Sequence, residues 1–208
     1  MYAIAEDIWK GAEDEAKQYE YNLEKAKEYL AKSAYPDGAD VKLLYYTKNA
    51  NKNVALSVQS SLAEIGVNVT LDEVPAGDYW SYVYGTVVNG EGVRDYEMML
   101  GFWIPDAVDP SAFINVIYAS DMIAAGGCNT AAYSNPEVDK LINQANECTD
   151  NAERSKLLVE AVKLATEDCP YKNLFYRTQV TAINADKLEV DYNIMWQYNL
   201  LVKDFKVK

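Results

Sequence analysis

Apolar positions recur through the first half of the chain with two alternating periods. Leu23, Ala26, Leu30 and Ala34 fall three and four residues apart, the spacing of one helical face, with Asn22 placed to cap the first turn and Pro36-Asp37-Gly38 to stop the last. Val41-Lys42-Leu43-Leu44-Tyr45-Tyr46-Thr47 is a β-rich run of strand length, followed by a polar loop from Lys48 to Asn53. Val54, Val58, Leu62 and Ile65 return to the helical period, and Gly66 supplies its C-terminal stop. From there Val67, Val69 and Leu71 alternate with Asn68, Thr70 and Asp72, so a strand follows the helix directly. Pro75-Ala76-Gly77 breaks that strand, Asp78 can cap a helix carrying Tyr79, Trp80, Tyr82 and Tyr84, and Tyr96 to Trp103 reads as a third strand. Strand, helix, strand, helix, strand predicts an α/β fold: a βαβαβ core with right-handed crossovers, a mostly parallel sheet and flanking helices.

The second half reads as helices followed by strands. Ile104-Pro105-Asp106-Ala107-Val108-Asp109-Pro110 is irregular and lies at the C-terminal end of the third strand, where open α/β sheets bind ligands. The stretch from Ala119 to Ala132, with Gly126-Gly127, is expected as a surface loop. Asn135 before Pro136 reads as an N-cap with proline at the first helical position, ahead of Val138, Leu141, Ile142 and Ala145. Asp150 opens a further helix with Leu157, Leu158, Ala161, Val162 and Ala165 inside, ending before Pro170. Residues 173–183 and 192–202 are aromatic and β-branched and are expected to return as strands. Residues 1–20 form a lead-in, helical or disordered, and residues 21–208 are expected as one lobe.

Composition narrows the chemistry. The 208 residues are 50% hydrophobic and 25% charged, enough to bury a real core. No apolar run approaches the length of a membrane span, and Tyr2-Ala3-Ile4-Ala5-Glu6-Asp7 after Met1 lacks the basic and apolar stretches of an export signal. A formal charge of −13, spread along the chain, serves solubility and repels phosphate backbones, so no nucleic-acid partner is expected. The absence of histidine removes Ser-His-Asp and Cys-His catalysis and most zinc sites. Cys128, Cys148 and Cys169 match no metal spacing, and their odd number gives no complete disulfide framework.

Several segments together resemble a known family. They are Tyr21-Asn22-Leu23-Glu24-Lys25-Ala26-Lys27-Glu28-Tyr29-Leu30 with Tyr35-Pro36-Asp37-Gly38; Gln59, Leu62, Ile65-Gly66-Val67 and Val69; Trp103 with Asp106 and Asp109-Pro110; Tyr133-Ser134-Asn135-Pro136 with Asp139; and Asp150 with Arg154 ahead of Pro170. In number, order and spacing they resemble the family-5 extracytoplasmic solute-binding proteins, the oligopeptide- and dipeptide-binding class that feeds ABC importers. Most of these residues have a plain structural reading: Gly66 and Pro36 as stops, Asn135 and Asp150 as caps, Asp109-Pro110 as a turn and cap, Arg154 in a local ion pair.

The resemblance implies a periplasmic-binding-protein-like lobe, one of two that close on an extended ligand, with the first lobe absent from this stretch. It implies that Asp106 receives the ligand's α-ammonium, a three-donor cation facing a pure acceptor. Trp103 beside it would exclude water and offer a π-face. Phe102 stands where relatives commonly have glycine and would narrow the pocket, and Leu100 stands where some carry a basic residue suited to a ligand carboxylate, leaving Arg94 and Arg177 as substitutes. Tyr84 and Tyr176 could line side-chain pockets, although each also reads as a core aromatic. The implied partners are a peptide or other small solute, the absent lobe of the same protein and an ABC permease in the membrane. No cofactor or catalytic residue is implied, and the location would be extracytoplasmic, in the periplasm or as a cell-surface lipoprotein. Two other readings stand beside this one: a sensor or adhesin on the same fold, or a binder of a sugar or nickel complex. A glycosidase-like carboxylate pair is disfavoured at Asp72 and Glu73, because neighbours on a strand point to opposite faces, and stays open in principle at Asp106 and Asp109.

Overall fold

The computed structural model describes residues 5–15, 20–84, 86–88, 91–104, 107, 109–123, 127–175, 182–190 and 202–208. The chain divides into two compact units, Met1–Tyr171 and Lys172–Lys208. The first unit begins with α1 (Glu6–Glu15), α2 (Leu23–Ala31), β1 (Ala39–Tyr46), α3 (Asn49–Ala63), β2 (Val67–Val74) and α4 (Tyr79–Tyr84). It continues through β3 (Thr86–Val88), β4 (Glu91–Val93), β5 (Met98–Met99), α5 (Ser111–Tyr118), a 3-10 turn at Ser120–Ile123, α6 (Pro136–Glu147) and α7 (Asn151–Asp168).

The parallel sheet predicted from the alternating periods is present, in the order β2-β1-β5. β1 pairs with β2 from Ala39↔Val67 to Tyr46↔Val74, and with β5 at Leu43↔Met98 and Leu44↔Met99. A central strand covered on both faces needs apolar residues at consecutive positions. Leu43, Leu44 and Tyr45 meet that requirement: Leu43 and Tyr45 pack with Ala55, Val67 and Val69, while Leu44 packs on the other face with Val74, Tyr79 and Val83. β2 keeps the alternation of an edge strand, with Val67 and Val69 buried and Asn68 and Thr70 exposed. The Gln59 side-chain amide of α3 donates to the Val69 carbonyl at 2.7 Å, tying helix to strand edge.

A second apolar core lies among helices. Trp9 of α1, Ile114 of α5, Val138, Ile142 and Ala145 of α6, and Leu158, Val159 and Ala161 of α7 share it. The caps expected from sequence form: Asn22 accepts from the Lys25 N–H at 2.9 Å, Asn135 from Glu137 at 3.0 Å, and Asp150 from Glu153 at 2.9 Å. α7 ends at Cys169, whose φ of 53° reverses the chain ahead of Pro170.

Three local expectations change. α2 stops at Ala31, so Ala34 lies beyond it, in the turn before Pro36. The third strand is only two residues long, because the chain peels away after the Leu100 N–H donates to the Leu44 carbonyl at 2.9 Å. The stretch 119–132 is not wholly a surface loop: Ala119, Asn129 and Thr130 are buried. The two tail segments expected as strands fall largely outside the described residues. Of the second unit, β6 (Leu188–Val190) and β7 (Phe205–Val207) are described; they pair antiparallel from Leu188↔Val207 to Val190↔Phe205.

Candidate functional site

Because β1, β2 and β5 run parallel, their carboxyl ends share one edge of the sheet, and the residues that follow them gather there. Tyr46 closes β1, α4 follows β2, and Leu100-Gly101-Phe102-Trp103-Ile104 follows β5. Their rings form a continuous aromatic array. Tyr46 and Tyr79 lie 5.1 Å apart, Tyr79 and Trp80 5.2 Å, and Trp80 stacks on Tyr84 at 5.7 Å with planes 23° apart. Phe102 meets Trp80 at 6.1 Å and Tyr46 at 6.5 Å, edge-on in both cases, and its side chain remains 39% exposed. The Tyr84 hydroxyl lies against the Cys128 thiol, and burial raises its pKa above the usual tyrosine range. Trp103 is half-buried, and its indole N–H is enclosed with no hydrogen-bond partner among the described residues.

The segment after β5 is fastened at both ends. At its start the Tyr79 hydroxyl donates to the Leu100 carbonyl at 2.6 Å, and burial pushes the Tyr79 pKa up. At its far end Asp109 takes both forks of the Arg154 guanidinium, with the Nη1 contact at 2.9 Å, and also accepts the Ser111 N–H that opens α5 at 2.9 Å. Arg154 reaches the Ser111 hydroxyl as well. The Arg154 pairing is therefore long-range rather than local: it carries the end of the segment onto α7, from the sheet core to the helical core.

The Arg154 hydrogen bonds, with help from Ser111, hold the Asp109 carboxyl down to about 2 from an ordinary 3.8. A carboxyl lowered in the folded state contributes stability that is complete above about pH 4 and is lost as pH falls through about 2. With the Asp109 side chain 30% exposed, solvent screening limits this contribution to about 1–2 kcal/mol. Urea unfolding between pH 5 and pH 2 should accordingly show a shallower loss of stability in Asp109→Asn than in the parent; equal slopes would assign the acid sensitivity elsewhere.

Of the residues singled out from sequence, Phe102, Trp103 and Tyr84 lie at this edge, with Phe102 and Tyr84 joined through Trp80. Asp106 and Tyr176, together with Arg177, lie outside the described residues. Arg94 is not available for a ligand carboxylate: its guanidinium donates to the carbonyls of Asn129 at 3.2 Å, Thr130 at 3.4 Å and Ile123 at 3.0 Å. Leu100 packs against the sheet core. Tyr46 and Trp80 were not picked out as site residues, yet both build the array; the signal for Tyr46 was its place as the last residue of a parallel strand. Among the described residues no group of three or more His, Cys, Asp or Glu is placed to hold a metal ion, and no helix is long and apolar enough to cross a membrane.

The first unit is thus a parallel α/β unit with an aromatic array at the carboxyl edge of its sheet, a fold of the periplasmic-binding-protein type. The chain belongs to the bacterial extracellular solute-binding proteins, family 5, whose middle region matches residues 1–124. It is 31% identical over 194 residues to the probable D,D-dipeptide-binding periplasmic protein DdpA of Escherichia coli K12, covering 92% of this chain and 35% of that protein. Against the oligopeptide-binding protein OppA of Bacillus subtilis it is 29% identical over 179 residues, 81% of this chain and 31% of that one. Among solved structures it is similar to the ABC transporter-associated periplasmic binding protein DppA of Helicobacter pylori in complex with peptide STSA. The TM-score is 0.66 at 28% identity, over 74% of this chain and 29% of that one. The chain thus spans about a third of the length of the curated relatives it matches.

Proposed function

We propose that the full-length protein to which this chain belongs binds a short peptide outside the cytoplasmic membrane and delivers it to an ABC permease, acting by binding and not by turnover. The observation that carries the reading is the aromatic edge formed by Phe102, Trp80 and Tyr84 at the carboxyl ends of the strands, in a chain whose named relatives are binding proteins for dipeptides and oligopeptides. The ligand lies between this lobe and a second one, and closure removes it from water. Asp106, three residues beyond Trp103, receives the peptide's α-ammonium. The Tyr79–Leu100 and Asp109–Arg154 bonds fix the two ends of the segment that carries both residues.

Calorimetric titration of the full-length protein with a mixed di- to hexapeptide library tests this directly. Asp106→Ala is expected to weaken binding by about 2 kcal/mol, roughly 30-fold, because a buried ammonium loses its partner. N-acetylated peptides should bind the parent protein with a similar deficit. Peptide binding indifferent to both changes would remove Asp106 from the site, and no peptide binding would move the ligand to another class of solute.

A further inference from the structure

The reading above leaves open which peptides the protein prefers, and the composition of the edge bears on that. Five rings, Tyr46, Tyr79, Trp80, Tyr84 and Phe102, form one continuous cluster in which each ring touches at least one other; Tyr79 is buried inside it and Phe102 is its most exposed member. None carries a charge at neutral pH. Burial raises the pKa values of Tyr79 and Tyr84 further above neutrality. The Tyr79 ring is buried and backs the others, with its hydroxyl committed to the Leu100 carbonyl, and the Tyr84 hydroxyl lies against Cys128, so both polar tips are turned to protein groups.

Phe102 is the outermost member. Its ring meets Trp80 and Tyr46 edge-on rather than lying flat on either, and it remains 39% exposed, next to Ile104 at 42%. A partly open phenyl ring supported by two neighbouring rings is rigid. It gives up little conformational entropy when covered, and aromatic rings favour edge-to-face partners with centroids about 4.5–7 Å apart. A wall of this kind rewards an apolar planar group and offers nothing to a carboxylate, which the chain's formal charge of −13 also disfavours.

We propose that Phe102, backed by Trp80 and Tyr84, is a specificity-determining wall that selects peptides bearing an aromatic side chain. The inference rests on the peptide-binding reading and deepens it. The ligand's aromatic residue packs against Phe102 and Trp80, and covering those rings supplies the discrimination against small or acidic residues at the same ligand position.

The test uses the full-length protein and five defined tripeptides: Ala-Ala-Ala, the three isomers with one Phe, and Ala-Asp-Ala. Affinities are measured by calorimetry for the parent, Phe102→Ala and Phe102→Leu, with thermal unfolding confirming that each variant is folded. The parent should prefer one Phe-containing isomer over Ala-Ala-Ala by about tenfold or more. That preference ratio should fall by at least about fivefold in Phe102→Ala, and by less in Phe102→Leu, which keeps apolar bulk. Peptides that bind with no aromatic preference, or with a preference that Phe102→Ala leaves intact, would overturn the wall and leave the peptide reading standing. If no tripeptide binds, the aromatic wall falls, while the peptide reading is decided separately by the di- to hexapeptide titration.

Discussion

Replacing Asn129 with alanine is expected to destabilise the protein by about 4 kcal/mol. Asn129 is completely buried, and its side chain does the work of a missing piece of backbone. Its amide donates to the carbonyls of Ala119 at 3.0 Å and Tyr133 at 2.8 Å, while its side-chain oxygen accepts the Tyr133 N–H at 3.0 Å. Alanine would leave two carbonyls and one N–H enclosed without these partners, at about 1–3 kcal/mol apiece before relaxation. Asn129→Asp separates hydrogen bonding from shape: it keeps the acceptor and the volume but sets a carboxylate oxygen against two carbonyls, so it should be no milder than alanine. Urea unfolding of the two variants checks this, and a loss under about 1 kcal/mol in either would show that water replaces the lost bonds. The effect should reach the aromatic edge, because Cys128, which lies against Tyr84, and Thr130, whose carbonyl accepts the Tyr96 hydroxyl at 3.2 Å, flank this residue.

Gly38→Ala comes next, with an expected cost of about 3 kcal/mol. Gly38 has φ of 109°, a backbone region that L side chains rarely adopt, and Gly66 has φ of 85°. The two glycines immediately precede β1 and β2 and face each other at the head of the register Ala39↔Val67. A Cβ on Gly38 would lie 2.1 Å from the Gly66 carbonyl oxygen, a backbone atom that cannot move without shifting the start of β2. Gly66→Ala meets nothing closer than 3.8 Å, so it carries the dihedral strain alone and should cost about 1 kcal/mol. Unfolding midpoints that ranked the two the other way would mean that the strand starts adjust freely.

Much of the fold was legible because local chemistry and global topology agree in it. Asn22, Asn135 and Asp150 are caps by residue type and caps in fact. The consecutive Leu43-Leu44-Tyr45 run and the alternating Val67, Val69 pattern separate a central strand from an edge strand. What was not legible depends on residues far apart in sequence. Nothing near Arg154 announces that its partner is Asp109, 45 residues away, and nothing in the Ala119–Ala132 stretch distinguishes a surface loop from one whose Asn129 is fully enclosed. The third strand is shorter than its apolar and aromatic content suggests: of Tyr96 to Trp103 only Met98–Met99 meets a partner strand, and the residues beyond lie at the carboxyl edge of the sheet. Of the candidate site, Phe102, Trp103 and Tyr84 came from resemblance and position. Tyr46 and Trp80 were absent from it because each also reads as an ordinary core aromatic.

Ligand held at the carboxyl edge of this sheet should shield the backbone there from solvent. Amide hydrogen exchange of the full-length protein, measured with and without a saturating peptide from the tripeptide set, reads this out. Slowed exchange is expected in residues 75–84 and 100–104, with little change in α6 and α7. Peptide binding with those two stretches unaltered, and protection appearing elsewhere in this chain, would contradict that placement of the ligand.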